Sequence, residues 1–320
     1  MKLCSIAILI GCLVPLHGFS QSRNFRNEFG FRSDNDAYLA IGQDRYYTNG
    51  LFITFRHALK MPEEKENKMA KKIWEAEVGQ YMYNAQSGYM PDVRYVDRPF
   101  AAYLYGAFKY NWYLQDEEIF QVSGSAGMIG PNALGEDAQK LLHKIAGFYD
   151  VNGWDYQITN SLEANASFSY IRLLTRTSWN VDFSLHGEAD LGTTFSGASV
   201  GILFRAGKIN PLFNSVATNS RISNSAADAP SEKELFFYTQ PLLHFVAYDA
   251  TLQGGLFNNN KGPVTYRPNR LAFSQELGVK YGGDRWTVGF GLVFQTKEEK
   301  AQVHAHQYGS ISLFYRFGTH

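Results

Sequence analysis

Polar and apolar residues alternate with a period of two through much of the chain, which puts one set of side chains on each face of an extended strand. Ile158, Asn160, Leu162, Ala164, Ala166, Phe168 and Tyr170 alternate with Gln157, Thr159, Ser161, Glu163, Asn165, Ser167 and Ser169. Val181, Phe183, Leu185, Gly187, Ala189 and Leu191 alternate with Asp182, Ser184, His186, Glu188 and Asp190, and Trp286, Val288, Phe290, Leu292 and Phe294 repeat the pattern. A soluble sandwich also alternates, but carboxylates such as Asp182, Glu188 and Asp190 on one strand face need solvent or a polar lumen beside them. An apolar outside, a polar inside and strands of about ten residues or more describe an outer-membrane barrel. The pattern therefore predicts an all-β fold, a transmembrane antiparallel β-barrel of about 12 strands, the even number that bacterial single-chain barrels use. The candidate strands lie near 25–35, 47–58, 72–84, 99–113, 118–130, 156–174, 179–193, 198–207, 235–250, 268–281, 285–297 and 306–317. Aromatic residues near segment ends, at Tyr46-Tyr47, Tyr110 to Tyr113 and Tyr315 to Phe317, fit interfacial girdles, although strand propensity accounts for part of that placement.

One stretch has helical spacing instead. From Asn132 to Ala146, Leu134, Ala138, Leu141, Leu142 and Ile145 form a stripe, Asn132 is a candidate N-cap and Gly147 a candidate stop. This predicts a helix of about four turns between the fifth and sixth strands. Consecutive gaps of an up-and-down barrel alternate between its rims, so the first gap (36–46) and the fifth (131–155) share one. With the N-terminus in the periplasm, that rim faces the cell exterior. The same alternation sends the polar stretch Asn210 to Lys233 to the periplasmic side, where turns are short; it reads as a disordered insertion or a miscounted strand.

Lys2, the apolar run Ser5 to Pro15 and the small and polar residues through Gly18, Ser20 and Gln21 have the layout of a secretory signal. Residues 1–20 are accordingly read as a signal peptide and 21–320 as the barrel domain, with a lipobox at Leu9-Ile10-Gly11-Cys12 as the competing reading. The two cysteines, Cys4 and Cys12, both fall in the leader, which excludes cysteine nucleophiles and zinc–thiolate sites in a processed chain. Beyond the leader no run approaches the roughly 18 apolar residues of a spanning helix. Net charge is zero and 45% of residues are hydrophobic, so neither a disordered chain nor a nucleic-acid binder is indicated.

Two sets of polar residues share the outer rim. The first gap opens with Asp34-Asn35-Asp36 and closes with Asp44-Arg45-Tyr46-Tyr47-Thr48-Asn49-Gly50. Crowded carboxylate and amide oxygens suit a hard cation such as calcium; the same residues also serve a bare turn. In the fifth gap Gln139 and His143 stand one helical turn apart. They lie off the Leu and Ile stripe and are free to face the barrel wall, His143 as a general base or as an ordinary packed histidine.

Asn35-Asp36, Asp44 to Gly50, Asp97-Arg98-Pro99-Phe100-Ala101-Ala102, Gly127-Met128-Ile129-Gly130-Pro131, Gln139 with His143, and Gly153-Trp154-Asp155-Tyr156-Gln157 occur in this order. The series resembles the blocks of the outer-membrane lipid A 3'-O-deacylases, the LpxR-type family, with a weaker match over Tyr248 to Gly255. The resemblance implies a 12-stranded barrel in the Gram-negative outer membrane, with its site on the extracellular side between the wall and a loop helix. It implies calcium-dependent removal of the 3'-acyloxyacyl group from lipid A of lipopolysaccharide in the outer leaflet. Asn35 and Asp36 would bind calcium with Thr48 nearby; Thr48 and Gln139 join His143 in the catalytic set, in which His143 activates water. Arg98 lies in a matching block, and a phosphate contact is expected of it. The chain departs from the family at Tyr149, where some members are acidic, and at Gly88-Tyr89-Met90-Pro91, which replaces a basic pair.

Two rival functions remain on the residues alone. One is a serine-dependent outer-membrane phospholipase using Ser123, Ser125, Ser167 or Ser169; the other is a non-enzymatic barrel, a porin or a structural protein. A monomer is the favoured state. His304 and His306 are spaced to share a strand face, His57, His186 and His244 have no evident partner, and Glu63 to Lys72 reads as a solvated turn.

Overall fold

The computed structural model describes residues 24–39, 44–61, 68–178, 180–225 and 231–319. The leader, with both cysteines, lies outside the described residues, as does 62–67 of the charged run. Twelve antiparallel strands form a closed barrel in sequence order, β1 pairing with both β2 and β12. They are β1 (Asn27–Asn35), β2 (Tyr47–Ala58), β3 (Met69–Tyr83), β4 (Ala101–Leu114), β5 (Glu118–Ile129), β6 (Ser161–Arg176), β7 (Val181–Gly192), β8 (Phe195–Lys208), β9 (Glu234–Asp249), β10 (Leu271–Gly282), β11 (Trp286–Gln295) and β12 (His306–Phe317). Each predicted strand is present. Lys71 and Lys72 belong to β3 rather than to the charged turn expected there.

Closure satisfies the backbone within the sheet, the condition for crossing hydrocarbon with strands. No helix among the described residues is long and apolar enough to span a membrane. The two faces separate as the alternation requires. Leu162, Phe168, Leu191, Val200, Val288 and Phe290 are exposed on the outside. The inside is filled. Arg56 pairs with Glu28 (2.7 Å) and with Glu75, Lys109 joins Glu75 (2.9 Å) and Glu77 (3.2 Å), and Arg316 reaches Glu28 (3.0 Å). Above this ionic layer Tyr81, Tyr103 and Tyr105 stack, with Tyr47 and Tyr308 edge to face beside them. Tyr46 and Tyr47 are thus buried within the barrel mouth and are not part of a girdle. Trp286, Tyr315 and Phe317 do group on the outside, at the other end.

The β8–β9 connection corrects the reading of Asn210 to Lys233. The strand count stands, and residues 209–225 fold into the barrel mouth opposite α1 as a plug, while 226–230 lie outside the described residues. Leu212 and Ile222 enter an apolar cluster with Ala58, Ile73, Tyr113 and Ile119, and Val216 packs with Leu203 and Phe236. Glu234 accepts from Asn210 N (2.9 Å), Val216 N (2.8 Å) and Ser215 Oγ (2.8 Å), and Lys71 Nζ donates to Asn214 Oδ1 (2.6 Å). Its polarity is not disorder. The polar residues are the partners of charged groups that point into the barrel.

The helix α1 (Gly135–Ala146) is about three turns long, shorter than expected. A 3-10 turn, Pro131–Ala133, precedes it, and Leu134 occupies the N-cap in the left-handed region (φ 58°). Asn132 is not the cap. Its N–H instead binds Asn160 Oδ1 (2.7 Å). Gly147 does end the helix, at φ 72°, a conformation that costs glycine little. The helix packs on β3 and β4. A side chain at Gly135 would meet the Ala102 Cβ at 2.4 Å, so glycine permits the close approach.

Candidate active site

The first gap connects β1 to β2 at the same rim as α1. A 3-10 turn, Asp36–Leu39, follows β1, and Asp36 is buried in it. The register between β2 and β3 shifts between Tyr47 and Asn49, so Thr48 is the extra residue of a bulge, a device that re-aims a side chain. Its hydroxyl lies 3.5 Å from Asp36 Oδ1 and 3.3 Å from Asp44 Oδ1, so one proton is shared between two carboxylates. Arg45 N donates to Asp36 Oδ2 (2.8 Å), Ala37 N to Asn35 Oδ1 (2.6 Å), and Asn35 Nδ2 to Asn49 Oδ1.

α1 brings its polar edge to this cluster. Gln139 is 0% exposed and His143 5%, whereas Ile145 is 76% exposed. Trp154, buried against Phe100, donates its indole N–H to Gln139 Oε1 (2.8 Å). That leaves Gln139 Nε2 buried with no partner. The His143 Nδ1 lies 2.6 Å from the Tyr149 carbonyl oxygen. A carbonyl can only accept, so Nδ1 carries the proton and Nε2 faces the other way, 3.2 Å from Asp44 Oδ2. Tyr149 also lies against Asp44; burial, then that hydrogen bond, push its hydroxyl above the usual phenol range.

The donor set fits a hard cation. Burial first, and then the charge of Asp44, push the Asp36 carboxyl up to about 8, opposed by the hydrogen bond from Arg45 N. Among the described residues no lysine or arginine makes an ion pair with Asp36 or Asp44. Two adjacent carboxylates, one of them buried, thus stand beside amide and hydroxyl oxygens without a positive side chain. Nor are three His, Cys, Asp or Glu side chains grouped as a metal site among the described residues. A cation here would have to use the mixed oxygen donors typical of calcium rather than an all-acid or histidine set.

Asn35, Asp36, Thr48, Gln139 and His143 therefore meet at one rim. Arg98 does not join them. It is fully buried, its Nε on Glu298 (2.6 Å), its Nη2 on Thr251 Oγ1 (2.9 Å), and its guanidinium 4.0 Å from the Tyr83 ring centre. A guanidinium so engaged has no face open to a phosphate, and the expected contact is withdrawn; Arg98 ties loops together instead. Asp44 was not among the candidate site residues, although it stood in the quoted block. Nothing local marks it out, because its partner on α1 is distant in the chain. Other histidines are accounted for by packing or hydrogen bonds: His57 with Asn27, His244 with Ser274, and His306 among Tyr46, Tyr47 and Tyr308. Ser169 and His186 Nε2 lie 3.2 Å apart, but on the inner face of β6 and β7, away from lipid.

A family model described as outer membrane protein LpxR matches residues 3–317. LpxR from Salmonella typhimurium superposes with a TM-score of 0.72, at 19% identity, over 91% of this chain and 100% of that one. The β domain of the Bordetella autotransporter Brka (TM-score 0.46, 10% identity, 92% of this chain and 99% of that one) is less similar. So is the KdgM porin (TM-score 0.38, 7% identity, 91% and 99%). No curated protein matches the sequence.

Proposed function

Because this chain belongs to the LpxR family of outer-membrane proteins, we propose that it is a calcium-dependent lipid A deacylase that hydrolyses the 3'-acyloxyacyl ester at the extracellular rim. One observation carries the reading: an imidazole with its Nδ1 proton tied to a carbonyl turns its Nε2 toward a cluster of oxygen ligands without a lysine or arginine partner.

In the proposed reaction, the Tyr149 carbonyl holds the Nδ1 proton, and the Nε2 lone pair would be free for a water where the Asp44 carboxylate, 3.2 Å away, serves the cation instead. Nε2 takes a proton from a water as that water attacks the acyl carbonyl carbon. The ester C–O bond then breaks, and the imidazolium returns its proton to the departing sugar oxygen. Gln139 Nε2, a buried donor with no partner, is the group to donate to the oxyanion as it forms. Asn35, Asp36, Asp44 and Thr48 would hold the calcium ion. When bound, the ion would supply positive charge that polarises the ester carbonyl. No acyl-enzyme is required.

Mass spectra of lipid A from cells with and without the expressed protein, in calcium and in chelator, test the reading. His143→Ala should lower deacylation by about 10²–10⁴-fold, the range of general acid–base catalysis, while the barrel still assembles. Undiminished deacylation by that variant would sink the mechanism.

A further inference from the structure

The apolar stripe of α1 is turned away from the protein. Leu134, Leu141, Leu142 and Ile145 are exposed, and Phe148 continues them past the helix end. Three observations identify what covers them. First, α1 sits on the outer side of the wall. Tyr81, Tyr103 and Tyr105 point inward, so their neighbours Met82, Ala102 and Leu104 point outward, and these pack with Trp154, Ala133 and Ala138 of the α1 loop. Second, the lipid-facing surface continues directly below. Val78 on β3 and Phe108 on β4, on the same outward rows as Met82 and Ala102, are exposed to hydrocarbon. Third, the helix has three edges in angular order. Gly135, Gln139 and His143 face the barrel, Leu134, Leu141 and Ile145 form the apolar edge, and the charged residues Glu136, Asp137, Lys140 and Lys144 lie on the remaining edge, with Lys140 paired to Glu136 (2.5 Å). Such a division is that of a helix lying in a membrane interface.

We infer that α1 is an interfacial membrane helix, its Leu134–Leu141–Ile145 edge immersed in the acyl chains of the leaflet that surrounds the barrel mouth. The charged edge faces the headgroup layer and water, where the long lysine side chains reach water while their stems stay in the apolar layer. The leaflet is the outer one on the proposed reading; the helix–lipid contact itself does not depend on catalysis. Immersion sets His143 at the depth of the ester region rather than in bulk water. It also accounts for apolar side chains on an outer-rim loop that the barrel leaves uncovered.

The test places single cysteines at Leu141 and Ile145 of the full-length barrel, labels them with an environment-sensitive nitrobenzoxadiazole dye, and reconstitutes the protein in phosphatidylcholine–phosphatidylglycerol vesicles. Leu162→Cys, on the lipid face of β6, and Lys300→Cys, on an exposed outer loop, are the reference positions. Labels at 141 and 145 should emit at the blue-shifted wavelength of position 162 and be quenched by nitroxide lipids labelled near the glycerol. Emission and quenching like those at position 300 would overturn the inference. A blue-shifted label that resists nitroxide lipid but self-quenches as protein density rises would also overturn it, since a second copy would then cover the stripe. Activity is a separate readout. A barrel without deacylase activity whose labels are still quenched would leave this inference standing and remove the proposed function.

Discussion

The two mouths of the barrel differ in how their carboxylates are met. At the plugged mouth, opposite α1, Asp182 is met by Arg205 (2.6 Å) and Arg176 (2.9 Å), Glu117 by Arg176 (2.6 Å), and Glu28 by Arg56 and Arg316. The plug supplies further donors and acceptors, as when Ser215 Oγ accepts from Arg205 Nη1 (2.7 Å). At the outer mouth Asp36 and Asp44 share one threonine proton and face an imidazole, and Gln139 Nε2 has no partner. An ion taken out of water costs several kcal/mol unless it is paired. The plugged end meets that cost internally and is therefore architecture. At the α1 end the Arg98–Glu298 pair is closed in the same way, but Asp36 and Asp44 are not, and on the proposed reading a bound cation supplies their compensation.

The largest effect that would break this contrast is on stability. Asp182→Ala strands the fully buried Arg205, while Arg176 keeps Glu117, and should cost about 3–5 kcal/mol, the range for breaking a buried pair. Urea unfolding followed by tryptophan fluorescence measures it, and an unchanged midpoint would mean that the network at the plugged end is decorative. Asp36→Asn should behave differently. In chelator at neutral pH it should not destabilise the barrel, because the amide replaces a carboxyl that burial already keeps protonated and that has no lysine or arginine partner among the described residues. In calcium at about a hundred times the dissociation constant, the native chain should gain roughly 2.7 kcal/mol and the variant much less. The sign with pH follows from the same residue. The folded Asp36 keeps its proton to about 8 against an ordinary 3.8, so in chelator the folded state binds the extra proton and stability falls as pH rises through that window. Asp36→Asn should remove this slope.

The barrel was legible in the chain because every strand lies between two opposite environments, lipid and polar lumen, and a period of two records both. Strands such as Val181–Gly192 fall within two residues of their predicted ends for that reason. The plug was not legible. Residues 209–225 have no periodicity, since each polar group there answers a charge on a different strand, and in sequence that irregularity looks like disorder. The Asn132 cap failed because its N–H is held by Asn160 and Leu134 enters the helix from a left-handed turn. Gln139 and His143 could be placed on one helix face, but the meeting of His143 with Asp44 depends on the closure that sets the two loops side by side. Arg98 misled for the opposite reason: an arginine in a rim loop is ordinarily solvated, and here Glu298, Thr251 and Tyr83 enclose it.

A smaller effect would sharpen the outer-mouth side of the contrast. Asp44 is placed to act twice, on Nε2 of His143 and, through Thr48, on the oxygen cluster. Asp44→Asn keeps the shape but removes the charge, so turnover should fall about tenfold, equivalent to roughly 1.4 kcal/mol, and the calcium needed for half-maximal activity should rise. A fall in turnover at unchanged calcium dependence would confine Asp44 to orienting the imidazole. A rise in calcium requirement at unchanged saturating turnover would confine it to the cation.

The smallest expected change is at Trp154. Its indole N–H fixes Gln139 Oε1, and in so doing decides that the amide nitrogen, not the oxygen, is the unpartnered atom. Trp154→Phe preserves most of the packing against Phe100 but removes that hydrogen bond, worth about 1 kcal/mol net. The amide is then free to turn its oxygen toward the site, where an acceptor would repel a developing oxyanion. Deacylation should fall by about fivefold, consistent with that energy, with little change in calcium dependence, because no cation ligand is disturbed. Gln139→Glu should be worse than Trp154→Phe and Gln139→Leu intermediate, since a carboxylate adds repulsion where a leucine only removes a donor. The order of the three variants in a lipid A mass-spectrometric time course decides whether Gln139 serves the reaction through its nitrogen: equal rates would reduce the residue to a packing contact between α1 and Trp154.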